Sequence, residues 1–395
     1  MNVKNIILLV INPIGQRDFD RFGIGYFISK NKNIIVLNIR ELLYKNMPIT
    51  YSIEKKIDSF NYIEISTLVE LDKELQEYSE SDSVIFTFFG FHVNSFKVYK
   101  LLSKHNIKFG AFYIGVIPEL FYYAKETLAE KILRLKNTYR FNVLCKKVIN
   151  QIYNKIILKI SNIEKKIRKY DFVVIAGKMA DNIKQNTSFN TKIIKAHALD
   201  FDFLIQDDNL YLSSDYIVYL DEFIPYHDDN QLVGMNIRDI ANIYYYKMNT
   251  FLNYLSKRYG KEVIICAHPR SQYDKYKVWG DKKVVLFETY SYVKQAFVCI
   301  THASTSTNFA VMLNKPINFV YFKEIEFYKL PILAVSDSLG KKPIDLDIYN
   351  KELNKIDFTS IDQIKYKKYI ENYITEDIED RRCFWKIVSS ELNEL

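Results

Sequence analysis

The sequence predicts an α/β protein with two domains that face each other, each built on a parallel sheet. Short apolar segments alternate with helix-like segments in both halves of the 395 residues, a pattern typical of parallel strands flanked by helices. The chain is also long enough for two cores of ordinary size. Hydrophobic residues make up 48% and glycine occurs only 11 times, which argues against extended low-complexity disorder.

Several classes of protein are excluded by the composition. No apolar stretch reaches the roughly 18 residues that a membrane-spanning helix needs, and the N-terminal apolar run ends at Ile11 without a cleavage site for a signal peptidase. The cysteines Cys145, Cys266, Cys299 and Cys383 lie far apart, which fits neither a disulfide framework nor a zinc site. We therefore expect a cytoplasmic protein without a bound metal.

The first domain is predicted to span residues 1–205. A helix is predicted at 94–106, among strands at 5–11, 33–39, 83–89, 108–115, 171–177 and 191–198. A long basic insertion at 118–170 interrupts this series, and its apolar residues recur at steps of three and four, as in an amphipathic helix or a helical hairpin.

The net charge of +8 is concentrated in that insertion. Residues 125–169 hold thirteen Lys and Arg against three Glu, a balance of +10. One interpretation is that the segment is attracted to an anionic membrane face, where each basic residue contributes about 1 kcal/mol to the free energy of binding. The alternative is a solvated helix face that packs its isoleucine stripe on the domain. A nucleic-acid binder is a further alternative, although no recognition motif is present.

The second domain is predicted to span residues 212–360 and to repeat the strand–helix alternation. Its strands are expected at 216–223, 262–269, 283–289, 297–302 and 316–322. Helices are expected at 242–260, with Gly260 as the C-cap, and at 306–314. The tail at 361–395 is predicted to form two helices.

Polar clusters follow three strands of the second domain, where open parallel sheets bind ligands. Four consecutive hydroxyl residues, Ser304, Thr305, Ser306 and Thr307, lie between a strand and a helix. A single hydroxyl suffices to cap a helix. The surplus favours an anion, such as a phosphate, bound by backbone N–H groups and hydroxyl donors.

A second cluster contains His268, Pro269 and Arg270. The imidazole of His268 is suited to donate to a departing phosphate, either as a cation or as a neutral donor. Arg270 has a planar fork that matches phosphate oxygens. The alternative is a histidine that caps the strand and an arginine in a surface ion pair.

The third cluster begins with Asp221 and Glu222. Adjacent residues of a strand point to opposite faces, so only one of these carboxylates is expected to face the ligand directly. A carboxylate with a raised pKa there would accept the proton of an attacking hydroxyl. His302 is expected either to orient the hydroxyl segment or touch the phosphate, or to lie inside as a hydrogen-bonded histidine.

The segments "IICAHPRS" (264–271) and "CITHASTSTNFAVMLNKPINFV" (299–320) resemble motifs of bacterial surface-polysaccharide glycosyltransferases with two facing Rossmann-like domains, the GT-B fold. The His-Pro pair and the hydroxyl cluster are similar to those of sialyl-, Kdo- and nonulosonate transferases that use CMP-sugars. The resemblance covers residues 216–322. It implies that Asp221 or Glu222 is the base and that His268 and residues 304–306 engage the CMP phosphate. The acidic motif of those families usually ends in glycine, where this chain has Phe223.

The resemblance implies a glycosyltransferase that needs no cofactor and no metal. Its partners would be a nucleotide-sugar donor, with CMP-Kdo or CMP-nonulosonate favoured, and a capsule, lipopolysaccharide or lipid-linked glycan acceptor. We expect direct displacement at the donor carbon and a peripheral location at the inner face of the cell membrane. An NDP-hexose transferase and a polyol-phosphate transferase of the same fold remain alternatives.

Overall fold

The computed structural model describes residues 3–45, 60–118, 156, 167–182, 186–209, 213–227, 237–348 and 353–392. The chain divides into two compact units. Unit 1 combines Met1–Ile114, Cys145–Leu199 and Ile378–Leu395, and unit 2 combines Gly115–Leu144 and Asp200–Asp377. Nearly all of the predicted basic insertion at 118–170 lies outside the described residues.

Unit 1 contains a seven-stranded parallel sheet in the order β3-β2-β1-β4-β5-β6-β7. Its strands are β1 Asn5–Val10, β2 Asn33–Asn38, β3 Asn61–Glu64, β4 Ser83–Thr87, β5 Lys108–Tyr113, β6 Phe172–Ala176 and β7 Lys192–Ala196. Its helices are α1 Gln16–Arg21, α2 Ile24–Ser29, α3 Arg40–Leu43, α4 Leu68–Gln76 and α5 Phe96–Leu102. The strand order reverses at β1, because β2 and β3 are added on one side of β1 and β4 to β7 on the other.

Unit 2 contains a six-stranded parallel sheet in the order β10-β9-β8-β11-β12-β13. The strands are β8 Tyr216–Leu220, β9 Glu262–Cys266, β10 Lys283–Val285, β11 Ala296–Thr301, β12 Ile317–Tyr321 and β13 Ile344–Asp345. The helices are α6 Phe201–Ile205, α7 Ala241–Tyr259, α8 Thr289–Lys294, α9 Thr307–Met312, α10 Lys329–Ser338 and α11 Gln363–Tyr369. The order reverses between β8 and β11, because the chain adds β9 and β10 on one side of β8 before it crosses to β11.

The last helix, α12 Phe384–Leu392, belongs to unit 1. Its apolar face lies in the core of that unit, where Trp385 stacks parallel to Phe86 of β4 with 6.0 Å between ring centroids. Gly23 has a left-handed backbone with φ of +69°, and an added Cβ would lie 2.5 Å from the indole of Trp385. Glycine is therefore required at this position both by backbone conformation and by close approach.

These observations confirm the predicted α/β fold with two parallel sheets, and every strand predicted from the sequence is present. Helix α7 ends at Gly260, whose φ of +62° confirms the predicted C-cap. The tail differs from the prediction. Helix α11 continues into a π-helical turn at Ile370–Ile374, and residues 375–383 are not helical before α12 begins.

Candidate active site

Three neighbouring strands of unit 2 carry the polar clusters at their carboxyl ends. Strand β8 lies between β9 and β11, so Asp221 and Glu222 lie between the His-Pro loop and the hydroxyl segment. The two adjacent carboxylates contact the segments that follow the two strands on either side of β8. Asp221 accepts from the backbone N–H of His268, whereas Glu222 accepts from the backbone N–H of Ala303.

The carboxylate of Asp221 receives hydrogen bonds from four groups, one of which is the backbone N–H of Glu222. Oδ1 accepts the backbone N–H of Phe223 at 3.1 Å. Oδ2 accepts the hydroxyl of Tyr273 at 2.8 Å and the backbone N–H of His268 at 3.4 Å. Burial raises the pKa of Asp221 to about 6, because the charged form loses water, and these hydrogen bonds offset part of the increase.

Glu222 bridges the reversal point of the sheet. Its Oε2 accepts the backbone N–H of Ala303 at 2.8 Å, and its Oε1 accepts the hydroxyl of Tyr328 at 2.7 Å. Burial raises the pKa of Glu222 to about 7, and the negative charge of Asp221 adds to the increase. A carboxyl group with such a pKa can accept and release a proton near neutral pH.

Phe223 has a left-handed backbone, with φ of 52° and ψ of 33°. A bulky residue rarely adopts this conformation, and strain of this kind costs about 1–3 kcal/mol. It is maintained by the bond from the Phe223 N–H to Asp221 and by ring contacts with Tyr226 and Tyr273, at 5.3 and 5.2 Å between centroids. The chain therefore turns as a glycine would allow, although glycine is absent.

The His-Pro loop places two imidazoles side by side. His268 is half-buried, and its Nδ1 accepts the backbone N–H of Arg270 at 3.2 Å, so a neutral ring carries its proton on Nε2. The ring of His227, which follows the 3₁₀ turn Ile224–Tyr226, lies at 4.6 Å from that of His268 in an edge-to-face arrangement. The hydroxyl of Ser271 is buried and has no hydrogen-bond partner among the described residues.

In the hydroxyl segment, residues 304–307, only some of the side chains form hydrogen bonds within the protein. Oγ of Ser304 accepts the backbone N–H of Ser306 at 3.3 Å. Ser306 is the N-cap of α9, but its side chain makes no capping hydrogen bond. Thr305 is exposed, and Thr307 is fully buried with an unpartnered hydroxyl within the described ranges. Helix capping therefore does not account for Thr305 and Ser306.

His302 lies in the interior of unit 2. Its Nδ1 lies 2.6 Å from the carbonyl oxygen of Val320, and its Nε2 lies 2.9 Å from the hydroxyl of Tyr244. Burial lowers the pKa of His302 to about 4, so the ring is neutral at physiological pH. Of the two alternatives raised by the sequence, the structure places His302 as an interior hydrogen-bonded histidine, where it supports β11 and β12.

Several residues of this region escape sequence reasoning. Tyr273 and Tyr328 are not predicted from the sequence, because Tyr273 reaches Asp221 from the segment after His268 and Tyr328 reaches Glu222 from the 3₁₀ helix Lys323–Tyr328. The tyrosines around the His-Pro loop were a usable signal, since buried tyrosines usually need a polar partner. His227 stood within a polar cluster, but only the fold shows its contact with His268.

Within the described parts of the chain, no group of three or more His, Cys, Asp or Glu side chains is arranged to hold a metal ion. Over the same residues, no helix is long and apolar enough to cross a membrane.

No protein-family model matches the chain, and no curated protein matches it.

Solved structures do match it over nearly its full length. A variant of the wall teichoic acid polymerase TagF, soaked with CDPG, has a TM-score of 0.52 and 12% sequence identity, covering 100% of this chain and 90% of that chain. A second TagF structure has a TM-score of 0.51 at 12% identity, with the same coverage. MurG from Acinetobacter baumannii has a TM-score of 0.46 at 8% identity, covering 99% of this chain and 100% of that chain. The likeness to TagF shows the fold, which consists of two Rossmann-like units of the GT-B type.

Proposed function

We propose that the protein is a glycosyltransferase that moves a sugar from a nucleotide-activated donor to a surface polysaccharide or lipid-linked glycan. One observation carries the proposal. The carboxylate of Asp221 is hydrogen-bonded to the backbone N–H of His268 in the His-Pro loop, and that of Glu222 to the backbone N–H of Ala303, which directly precedes the hydroxyl segment. A proton acceptor therefore lies beside two segments whose side chains can donate hydrogen bonds to a phosphate. The three lie where the strand order of one parallel sheet reverses, which is where such sheets bind nucleotides.

The proposed reaction is a direct displacement that needs no metal. A hydroxyl of the acceptor attacks the donor sugar carbon, and its proton passes to a carboxylate of the Asp221–Glu222 pair. The bond between that carbon and the phosphate oxygen breaks, and the electron pair stays on the phosphate. His268, Arg270 and the hydroxyls of Ser304, Thr305 and Ser306 stabilise the charge on that phosphate, which is usually the largest catalytic contribution.

A CMP-sugar is the favoured donor, with Kdo or a nonulosonate as the sugar. Support comes from the resemblance of the His-Pro and hydroxyl motifs to those of CMP-sugar transferases. The second candidate is transfer from an NDP-hexose or of a polyol phosphate at the same phosphate site. The fold match to TagF, a wall teichoic acid polymerase whose structure was determined with CDPG, is the observation that favours polyol-phosphate transfer.

We further propose that residues 125–169 bring the enzyme to the cytoplasmic face of an anionic membrane, where a lipid-linked acceptor would lie. The balance of +10 in this segment supports the idea. Co-sedimentation with vesicles that contain anionic lipid, at low and at high salt, tests it. Salt-sensitive binding is expected, and binding that does not depend on salt or on anionic lipid would contradict it.

A thermal-shift panel of CMP, CDP, UDP, GDP and a short DNA duplex tests the nucleotide assignment. A ligand at 100 times its Kd stabilises the folded state by about 2.7 kcal/mol, which is readily measured. Stabilisation by CMP supports the CMP-sugar donor, and stabilisation by a diphosphate nucleotide alone supports the second candidate. Stabilisation by DNA alone would overturn both in favour of a basic nucleic-acid-binding protein.

A further inference from the structure

We propose that Glu222 is the catalytic base and that Asp221 is a positioning residue that holds the His-Pro loop in place. The inference rests on the proposed function and assigns separate tasks to two adjacent carboxylates that the sequence cannot tell apart. It is carried by the hydrogen-bond partners of the two side chains and by the position of each at the edge of the sheet.

The acceptor sites of Asp221 are largely occupied by the protein itself. Oδ2 receives two donors, the hydroxyl of Tyr273 and the backbone N–H of His268, which match its two lone pairs. Oδ1 receives the backbone N–H of Phe223. The side chain is only 3% exposed. A base must place a lone pair within hydrogen-bond distance of the substrate proton, and Asp221 has little capacity left for this.

Glu222 has capacity that Asp221 lacks. The carboxylate receives three donors, namely the hydroxyl of Tyr328 at Oε1 and the backbone N–H groups of Ala303 and His302, which leave one of its four lone pairs without a donor among the described residues. Its Oε2 receives the backbone N–H of Ala303. Both residues are buried, with 9% of Glu222 and 3% of Asp221 exposed. Glu222 also lies at the reversal between β8 and β11, next to the hydroxyl segment that would hold the donor phosphate.

The contacts of Asp221 explain what it does instead. They join the end of β8 to the loop after β9 and stabilise the left-handed turn at Phe223 that leads to His227. Both imidazoles of the site therefore depend on this carboxylate for their position. Loss of Asp221 should therefore weaken binding of the nucleotide phosphate, whereas loss of Glu222 should slow the proton transfer.

The proton balance of the step is simple. The oxygen of the acceptor hydroxyl forms the new bond to the sugar carbon, and its proton moves to the carboxylate of Glu222 as the carbon–phosphate-oxygen bond breaks. Among the described residues, the ionisable groups that interact with Glu222 are Asp221, Tyr219 and Tyr328, and the ring of His302, which follows β11, is neutral. Asp221 is the only one whose charge changes near neutral pH, and its ionisation makes that of Glu222 more difficult.

The isosteric variants Glu222→Gln and Asp221→Asn test the assignment. A glutamine can still accept the N–H of Ala303 and donate to the hydroxyl oxygen of Tyr328. An asparagine at 221 must direct its NH₂ group at a backbone N–H or lose a bond. We measure kcat and KM across pH 5–9 with the preferred nucleotide-sugar, and the Kd of its nucleoside phosphate by calorimetry.

For Glu222→Gln we expect kcat to fall by ~10²-fold or more, with the nucleotide Kd unchanged within about threefold. The rise of kcat with pH, whose midpoint we expect near 7 in the natural protein, should disappear. For Asp221→Asn we expect the rise with pH to remain and the nucleotide Kd to increase about tenfold or more. If Asp221→Asn does not fold, Tyr273→Phe, which removes one donor to Asp221, replaces it and should weaken nucleotide binding in the same direction.

The assignment is overturned if Glu222→Gln keeps its kcat, or if the pH dependence disappears in Asp221→Asn instead. Equal losses of nucleotide affinity in both variants would also overturn it, and this readout needs no turnover. Failure of the proposed function gives a different result, because the natural protein would then bind no nucleotide and transfer no sugar.

Discussion

The hydroxyl of Tyr273 lies 2.8 Å from Oδ2 of Asp221 and donates a hydrogen bond to this buried carboxylate. Replacement of Tyr273 by Phe removes the donor, and a buried acceptor that loses its partner costs about 1–3 kcal/mol. We expect a decrease of that size in the free energy of unfolding, measured with urea. The matched control is Tyr276→Phe, since that ring is 37% exposed and should stay within about 0.5 kcal/mol. Equal decreases in both variants would contradict the role of this bond.

His268 offers the most direct test of phosphate stabilisation. Replacement by Ala should lower turnover by ~10²-fold or more, because a donor to the departing phosphate is lost. Steady-state rates at saturating donor measure the effect. The control is His105→Ala in unit 1, whose ring pairs with Asp72 at 2.7 Å and which should leave turnover unchanged. An unchanged rate in His268→Ala would remove this histidine from the mechanism.

The hydroxyls of Thr305 and Ser306 are not needed for helix capping, so their loss should affect the ligand more than the fold. We expect the double variant Thr305→Val, Ser306→Ala to weaken nucleotide binding about tenfold, equivalent to about 1.4 kcal/mol. Its free energy of unfolding should change by less than about 0.5 kcal/mol. Thr250→Val on the surface of α7 is the control, and calorimetry provides both affinities. Unaltered affinity in the double variant would show that the segment does not bind the anion.

Glu222 also predicts how stability depends on pH. Its pKa is raised from 4.5 in the unfolded chain to about 7 in the folded protein. The folded state therefore holds the proton more tightly, and the resulting stabilisation is complete below pH 4.5 and is lost as pH rises through 7. The unfolding free energy of the natural protein should fall relative to that of Glu222→Gln by about 3 kcal/mol across this window, at about 1.4 kcal/mol per pKa unit. A constant difference between pH 4 and pH 8 would contradict the burial of this carboxylate.

Gly23 and Gly260 form a matched pair for testing the packing of Trp385. Both have positive φ, +69° and +62°, so an alanine is strained at either position. Only at Gly23 would the new Cβ meet the indole, at 2.5 Å, whereas no atom lies within 4 Å at Gly260. We expect Gly23→Ala to lower the unfolding free energy by about 1–3 kcal/mol more than Gly260→Ala, as overpacking does. Similar values by urea unfolding would show that the indole moves away at little cost.

Much of the fold could be predicted, because buried parallel strands are continuous apolar runs. The strands that prediction missed lack this signal: β3 has four half-exposed or exposed residues, and β13 has only two residues. The packing of α12 in unit 1 could not be predicted, because periodicity shows which face of a helix is apolar but not which core receives it. Phe384 and Trp385 are buried nearly 200 residues after the last strand of that sheet.

The candidate site was predictable to the level of residue type and strand end. Asp221, Glu222, His268 and the hydroxyl segment could be found because parallel strands bring their carboxyl ends to one edge. Their hydrogen-bond partners could not be found, since Tyr273 lies in a loop and Tyr328 ends a 3₁₀ helix, and the position of both depends on tertiary structure. The left-handed backbone at Phe223 gives no sign in the sequence, because phenylalanine rarely adopts it.

The position of α12 has a consequence for the order in which the protein is made. A ribosome releases the seven strands of unit 1 long before residues 384–392, which complete the core around Phe27, Phe86 and Phe112. Part of the apolar surface of the nascent first sheet therefore stays uncovered while residues 200–377 of unit 2 are synthesised. Chaperones that recognise exposed aromatic surface would have their longest opportunity to bind this chain during that interval.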